Sequence, residues 1–175
     1  MTTWKVDASH TSVNFAVRHI MISKVRGRFG AFTGHAVYDD ATNAWKSAEA
    51  TVEVASIDTR EEKRDAHLRS ADFFDVQKFP SITFKTSGVE ARGDDKFLVR
   101  GLLTIHGVTK EIALDTEITG TGKDPWGGDR TAFSARGSIS RKDFGMVWNQ
   151  ALEAGGIAVG DKVEIEIEAQ VVKEK

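Results

Sequence analysis

Five histidines, His10, His19, His35, His67 and His106, are the side chains of this 175-residue chain best suited to hold a metal or move a proton. None shows the tight H-x-x-x-H spacing of a zinc site, and the chain has no cysteine to complete one, so no metal is expected. His106 precedes a glycine and reads as a turn residue. No G-x-S-x-G is present, and no Ser/His/Asp set is placed together by sequence. The denser cluster is Arg60, Arg64, Asp65, His67 and Arg69. It reads first as a solvated helix face whose hydrogen bonds dock the helix. Its functional alternative is a charged rim that holds a polar or anionic headgroup.

Aromatic residues carry the stronger signal. Ten phenylalanines against one tyrosine favour rings without a polar handle. Phe73, Phe74 and Phe79 crowd one segment, and Phe144, Met146 and Trp148 another. They suit an ordinary core, or the lining for a long apolar molecule. Each buried methylene contributes roughly 0.8 kcal/mol, so about ten supply a gross term near 8 kcal/mol before the costs of binding. Met146 adds a side chain that adapts to an irregular tail.

The elements that must position these residues are mostly strands. In 163–171 apolar side chains fall on every odd position and polar ones on every even position. Successive strand residues face opposite sides, so this segment has one dry and one wet face. Residues 9–18 alternate likewise through Thr11, Val13, Phe15 and Val17, and 48–55 through Ala48, Ala50, Val52 and Val54. Residues 28–38 read as a bent or broken strand carrying Phe29, Phe32 and Val37, with Gly30 and Gly34 as bulge or kink points. Further strands are expected over 81–87, 96–105, 109–119 and 131–140, with His106-Gly107 as a hairpin turn. Residues 120–128 read as a glycine-rich loop and 150–161 as a loop or short turn.

One helical excursion interrupts them at 56–76. Thr59-Arg60-Glu61-Glu62 has the capping-box pattern, and Asp65 and Arg69 form a favourable i,i+4 pair. The helix is mostly polar and is expected to lie on the barrel. Ser70 or Asp72 can cap a second turn, and Phe79-Pro80 forces an extended exit. Seven or eight strands with short turns make a closed antiparallel barrel, just wide enough to be filled by side chains or to hold one small ligand.

Composition narrows the partners. Lys plus Arg number 24 and Asp plus Glu 26, so a net charge of -2 gives no general attraction to nucleic acid or anionic membrane. No stretch approaches the roughly 20 apolar residues of a spanning helix, so stable membrane insertion is not expected. No secretory signal is visible at the start. The expected location is cytoplasmic, or periplasmic or secreted if a leader has been removed. A homodimer is compatible with a sheet protein but nothing requires one.

Several blocks together resemble one family. They are Asp7-Ala8-Ser9-His10-Thr11-Ser12-Val13-Asn14-Phe15 with His19, then Gly27-Arg28-Phe29 with Phe32-Thr33-Gly34. Ser56-Ile57-Asp58-Thr59 and the stretch from Arg64 to Asp75 follow, continuing into Phe79-Pro80-Ser81-Ile82-Thr83-Phe84. Gly101-Leu102-Leu103-Thr104-Ile105-His106-Gly107-Val108-Thr109 and Arg141-Lys142-Asp143-Phe144-Gly145 complete the set. In this order they are similar to the YceI-like family, polyisoprenoid-binding lipocalin-like proteins. The resemblance implies one domain over 1–175, all-β, an eight-stranded antiparallel lipocalin-like barrel with a short helical excursion. It further implies a hydrophobic channel for an isoprenoid chain, such as a quinone tail or polyprenyl derivative, and supplies no catalytic residue.

The expected function is therefore non-catalytic binding, transport or storage of an amphiphile with a long isoprenoid tail. No catalytic cofactor is expected, and a bound isoprenoid lipid or quinone is. A barrel for fatty acid or another lipid is the first alternative, an enzyme acting on an isoprenoid the second, and a filled barrel that only binds partners the third. The expected lining is Val13, Phe15, Val17, Phe29, Phe32, Val52, Val54, Phe73, Phe74, Phe79, Ile82, Phe84, Leu103, Ile105, Ile112, Leu114, Phe133, Phe144, Met146, Trp148, Ile165 and Ile167. His19, Arg64 and His67 are the candidates for the headgroup. Strand parity makes a direct prediction: Ile167→Asp should disrupt folding or ligand uptake by burying an unpaired charge, while Glu166→Lys should be nearly silent. Equal tolerance in a thermal melt would reverse the face assignment.

Overall fold

The computed structural model describes residues 1–152 and 158–175. In chain order the strands are β1 (Thr2–Val6), β2 (Ser12–His19), β3 (Ser23–Phe29), β4 (Phe32–Asp39), β5 (Ala44–Glu53) and β6 (Ile57–Asp58). A helix, α1 (Glu62–Arg69), follows. The chain then returns to strand in β7 (Ser81–Gly93), β8 (Lys96–Ile105), β9 (Val108–Lys123), β10 (Asp129–Ser140) and β11 (Val159–Lys173).

Eight of these close a ring in the order β1-β4-β5-β7-β8-β9-β10-β11, with β11 pairing back onto β1. Each pairing in the ring is antiparallel. The remaining three strands extend the wall on one side. Along β11, β1 pairs near Val171 and β2 pairs between Val159 and Glu168, so β2 continues the line of β1. In the same way β3 pairs β2 below the line of β4, and β6 pairs β3 after β5 has paired β4. Three long strands are thus each broken midway, by turns at Ala8–His10 and Val54–Ser56 and between β3 and β4. The bent or broken strand expected over 28–38 is the β3/β4 break. Gly30 sits at it, whereas Gly34 lies inside β4, where an added Cβ would meet the Glu49 carbonyl oxygen at 2.8 Å.

Several expected bounds move. β1 was not anticipated, because five residues offer too little alternation. The glycines at 120 and 122 do not end β9, which runs to Lys123, because Gly122 pairs with Arg130 and Gly120 with Ala132. The middle of the loop expected over 150–161 lies outside the described residues. The His106-Gly107 turn forms with positive φ at both residues (55° and 73°), the conformation that matches the twist of a hairpin.

The capping box does not form. α1 starts later than Thr59 would set, and the Glu61 carboxylate caps it, accepting from the backbone N–H of Lys63 (3.2 Å) and Arg64 (2.6 Å). Thr59 instead donates its N–H and its hydroxyl to the buried Asp65 carboxylate, at 2.9 and 2.5 Å. That engagement also takes Asp65 from Arg69, so the expected i,i+4 pair is absent. The Arg69 guanidinium donates to the carbonyls of Ala55 (3.1 Å) and Ile57 (3.2 Å). α1 thereby satisfies carbonyls along the strand edge that β6 leaves beyond the start of β7.

A second polar lock ties the first strand break to β10, across β11. The Asp7 carboxylate accepts from Ser9 N–H (3.0 Å) and Oγ (2.6 Å), bonds His10 Nδ1 (2.8 Å) and takes Arg130 Nη1 (2.7 Å). The Ser9 hydroxyl first, then Arg130 and His10, hold this carboxyl far below the ordinary aspartate value of 3.8. A depressed carboxyl contributes stability above its unfolded pKa and loses it as pH falls through the folded one. The gap in melting temperature between wild type and Asp7→Asn should therefore be widest at neutral pH and narrow below about pH 4. A gap unchanged with pH would contradict this.

Candidate functional site

The inward faces of the strands enclose a cavity of about 670 Å3, within the span of pockets that take small ligands. Its lining is overwhelmingly apolar. All five odd positions of β11 from Val163 to Val171 border it, as the alternation requires, and Ile167 is among them. Glu166 points away, with its carboxylate 3.3 Å from Arg136 Nη2 on β10.

Every apolar position expected to line the space does so except Val54, Phe79 and Phe144. Val54 falls in the turn after β5, where strand parity ends, and packs at 1% exposure into the core. Phe79 lies over Gly107, with its ring centroid 4.8 Å from that of His106. Phe144, also 1% exposed, is buried in the short turn after β10. Sequence reading missed Trp45, Val25, Phe97, Val99, Ile139 and Val163, all of which border the cavity. Phe97 and Val99 could have been found by extending the parity of Leu103 and Ile105 back along β8.

The space stays hollow because bulky side chains lie against the wall. A Cβ on Gly27 would stand 2.3 Å from the Phe15 ring, and one on Gly101 would stand 2.2 Å from the Phe84 ring. A Cβ on Gly137 would meet Leu114 at 2.8 Å. Each glycine lets a neighbouring ring or isobutyl group fold flat instead of reaching across.

One end is floored. β5 and β10 are opposite members of the ring, yet Trp45 and Phe133 meet with centroids 5.1 Å apart. Trp4 and Tyr38 pack edge-on to Trp45 at 5.3 and 5.0 Å. The other end reaches solvent, where exposed Arg18, His19, Lys63 and Gln150 border the cavity. All three headgroup candidates border it too. Arg64 donates through Nε to Thr59 Oγ1 (2.7 Å) and through Nη2 to the Thr59 carbonyl (2.6 Å). His67 bonds Asp72 through Nε2 (2.8 Å) and packs edge-on to Phe73 and Trp148, at 5.0 and 4.7 Å. His19 is exposed on the rim. Arg64 and His67 are therefore fixed in place, whereas the His19 ring makes no hydrogen bond among the described residues.

Chemistry at this site is sparse. Among the described residues no three His, Asp or Glu side chains gather as a metal-holding group. Ser9, His10 and Asp7 do meet, but Ser9 Oγ and Asp7 Oδ2 both approach the same histidine nitrogen, at 3.1 and 2.8 Å. A proton relay needs the serine and the carboxylate on opposite ring nitrogens. What the arrangement can do is desolvate an apolar chain and meet a polar end at the mouth.

A closed antiparallel barrel with a hollow apolar interior and a polar rim defines the class. The chain matches the YceI-like domain over residues 4–171 and belongs to that family. A UPF0312 protein of Staphylococcus aureus is 39% identical over 171 residues, 97% of each chain. One from Vibrio cholerae is 42% identical over 138 residues, 79% of this chain and 73% of the relative. Among solved structures, the Campylobacter jejuni YCEI protein superposes with a TM-score of 0.78 at 32% identity, covering 90% of each chain. A polyisoprenoid binding domain from Saccharophagus degradans shares the fold at a TM-score of 0.71 and 16% identity, covering 99% of this chain and all of that one (100%).

Proposed function

We propose that this protein binds an amphiphile with a long isoprenoid tail, an isoprenoid quinone or polyprenyl derivative, and carries or stores it without chemical change. The observation that carries this reading is the floored cavity, whose lining is overwhelmingly apolar and whose mouth carries polar side chains. The tail lies along the inward faces of β5, β8 and β11, and the head stays near His19, Arg64 and His67. Polyisoprenoid binding in the Saccharophagus degradans domain of the same fold supports the choice of tail. The branched, irregular outline of such a chain suits a wall in which rings alternate with glycines.

Trp45 at the floor and Trp148 at the mouth supply a built-in readout. Delipidated protein titrated with an isoprenoid quinone should show saturable quenching of tryptophan fluorescence at one ligand per barrel. No quenching, together with tight binding of a straight-chain fatty acid, would replace isoprenoid by acyl chain. A product released from the added quinone would make the protein an enzyme.

A further inference from the structure

The rim of the mouth carries an unusual surface. The β2–β3 hairpin turns through Ile20 and Met21, both at positive φ (45° and 60°), with Ile22 N–H bonded to the His19 carbonyl at 3.1 Å. A turn whose two central residues both have positive φ favours Asn-Gly, and a β-branched residue there is strained. Isoleucine is thus a poor choice for the turn itself, and its side chain points the explanation outward. Ile20, Met21 and Ile22 are 37, 61 and 78% exposed.

The segment beside the hairpin carries a further exposed apolar residue. Ile20 N–H bonds the Ala158 carbonyl (2.8 Å), Ala158 N–H bonds the Gln150 carbonyl (3.0 Å), and Val147 lies just before, 63% exposed. The other large apolar groups left exposed, Met1, Leu102 and Trp126, stand elsewhere. Single exposed apolar residues are ordinary, but three in succession at a hairpin tip are not.

Charge selects the partner. From residue 8 to residue 38 the chain has no Asp or Glu, although the whole protein carries -2. The hairpin bears Arg18, Lys24, Arg26 and Arg28, all exposed. Lys24 pairs with Glu164 (2.8 Å) and Arg28 with Asp58 (3.5 Å). Arg18 and Arg26 have no carboxylate within ion-pair distance among the described residues. An apolar tip flanked by these cations matches the boundary between anionic headgroups and acyl chains.

We propose that the β2–β3 hairpin docks this protein reversibly on an anionic lipid bilayer, tip inserted and cavity mouth facing the membrane. In that pose a tail passes between bilayer and barrel without crossing water. The docking stands on the surface alone, and only its purpose rests on the proposed function of the cavity.

The test is flotation with vesicles of phosphatidylcholine, with and without phosphatidylglycerol. Wild-type protein should float with the anionic vesicles and release them as salt rises. Met21→Ser with Ile22→Ser should weaken that binding about tenfold, and so should Lys24→Gln with Arg26→Gln, neither of which borders the cavity. Trp126→Ala, at the floored end, should bind as wild type. Wild-type protein left unbound by anionic vesicles, or either hairpin pair binding undiminished, overturns the proposal. Quinone quenching in detergent should be unchanged in both hairpin variants, which separates a failure of docking from a failure of the cavity.

Discussion

Arg141→Met should destabilise the fold by roughly 4 kcal/mol, because a buried guanidinium leaves several buried acceptors behind. Arg141 is 3% exposed and sits at the end of β10. Its Nε donates to the Gly160 carbonyl (2.9 Å), Nη1 to those of Met146 and Trp148 (both 2.8 Å), and Nη2 to that of Val159 (3.3 Å). Asp161 stands 3.6 Å away, too far for a hydrogen bond. The side chain is thus a staple joining the segment that carries Trp148 to the start of β11. Methionine replaces the stem as far as Nε but has neither the guanidinium nor its donors. Denaturant unfolding measures the loss, and a change below about 1 kcal/mol would show that the carbonyls find other partners.

Ala135→Trp should abolish most ligand binding while sparing the fold. Ala135 faces the cavity from β10, directly beside Ile167 on β11 and Thr116 on β9. An indole there occupies space that a tail would fill, and the hollow accepts it without displacing packed neighbours. Displacing about four methylenes at ~0.8 kcal/mol each weakens binding about two-hundredfold. The quinone titration reads the loss, and a thermal melt checks that the barrel survives. Unimpaired binding in a folded variant would place the tail somewhere other than this cavity.

Much of the barrel was legible because period-two patterning is a local property. β11 shows it over nine residues from Val163 to Val171, and each odd side chain borders the cavity. Parity failed where the backbone leaves the strand, as at Val54 in its turn, or shifts register, as between Val37 and Tyr38 beside Trp45. The floor was illegible because Trp45 and Phe133 meet through closure of the ring and not through sequence distance. Hollowness had a faint signal in Gly27, Gly101 and Gly137, each at an inward position beside a bulky neighbour. Those glycines look like weak points of strands until the rings lying over them are known. Thr59 misled for a related reason: its capping pattern was correct in type, but the buried Asp65 carboxylate competed for both of its donors.

Organic extraction of the protein purified from its native host, followed by mass spectrometry, tests the central claim most directly. The expected result is a molecule with an isoprenoid tail, near one per chain in wild type and sharply depleted in Ala135→Trp. An acyl lipid at that stoichiometry, or an isoprenoid carried equally by the blocked variant, would contradict the account.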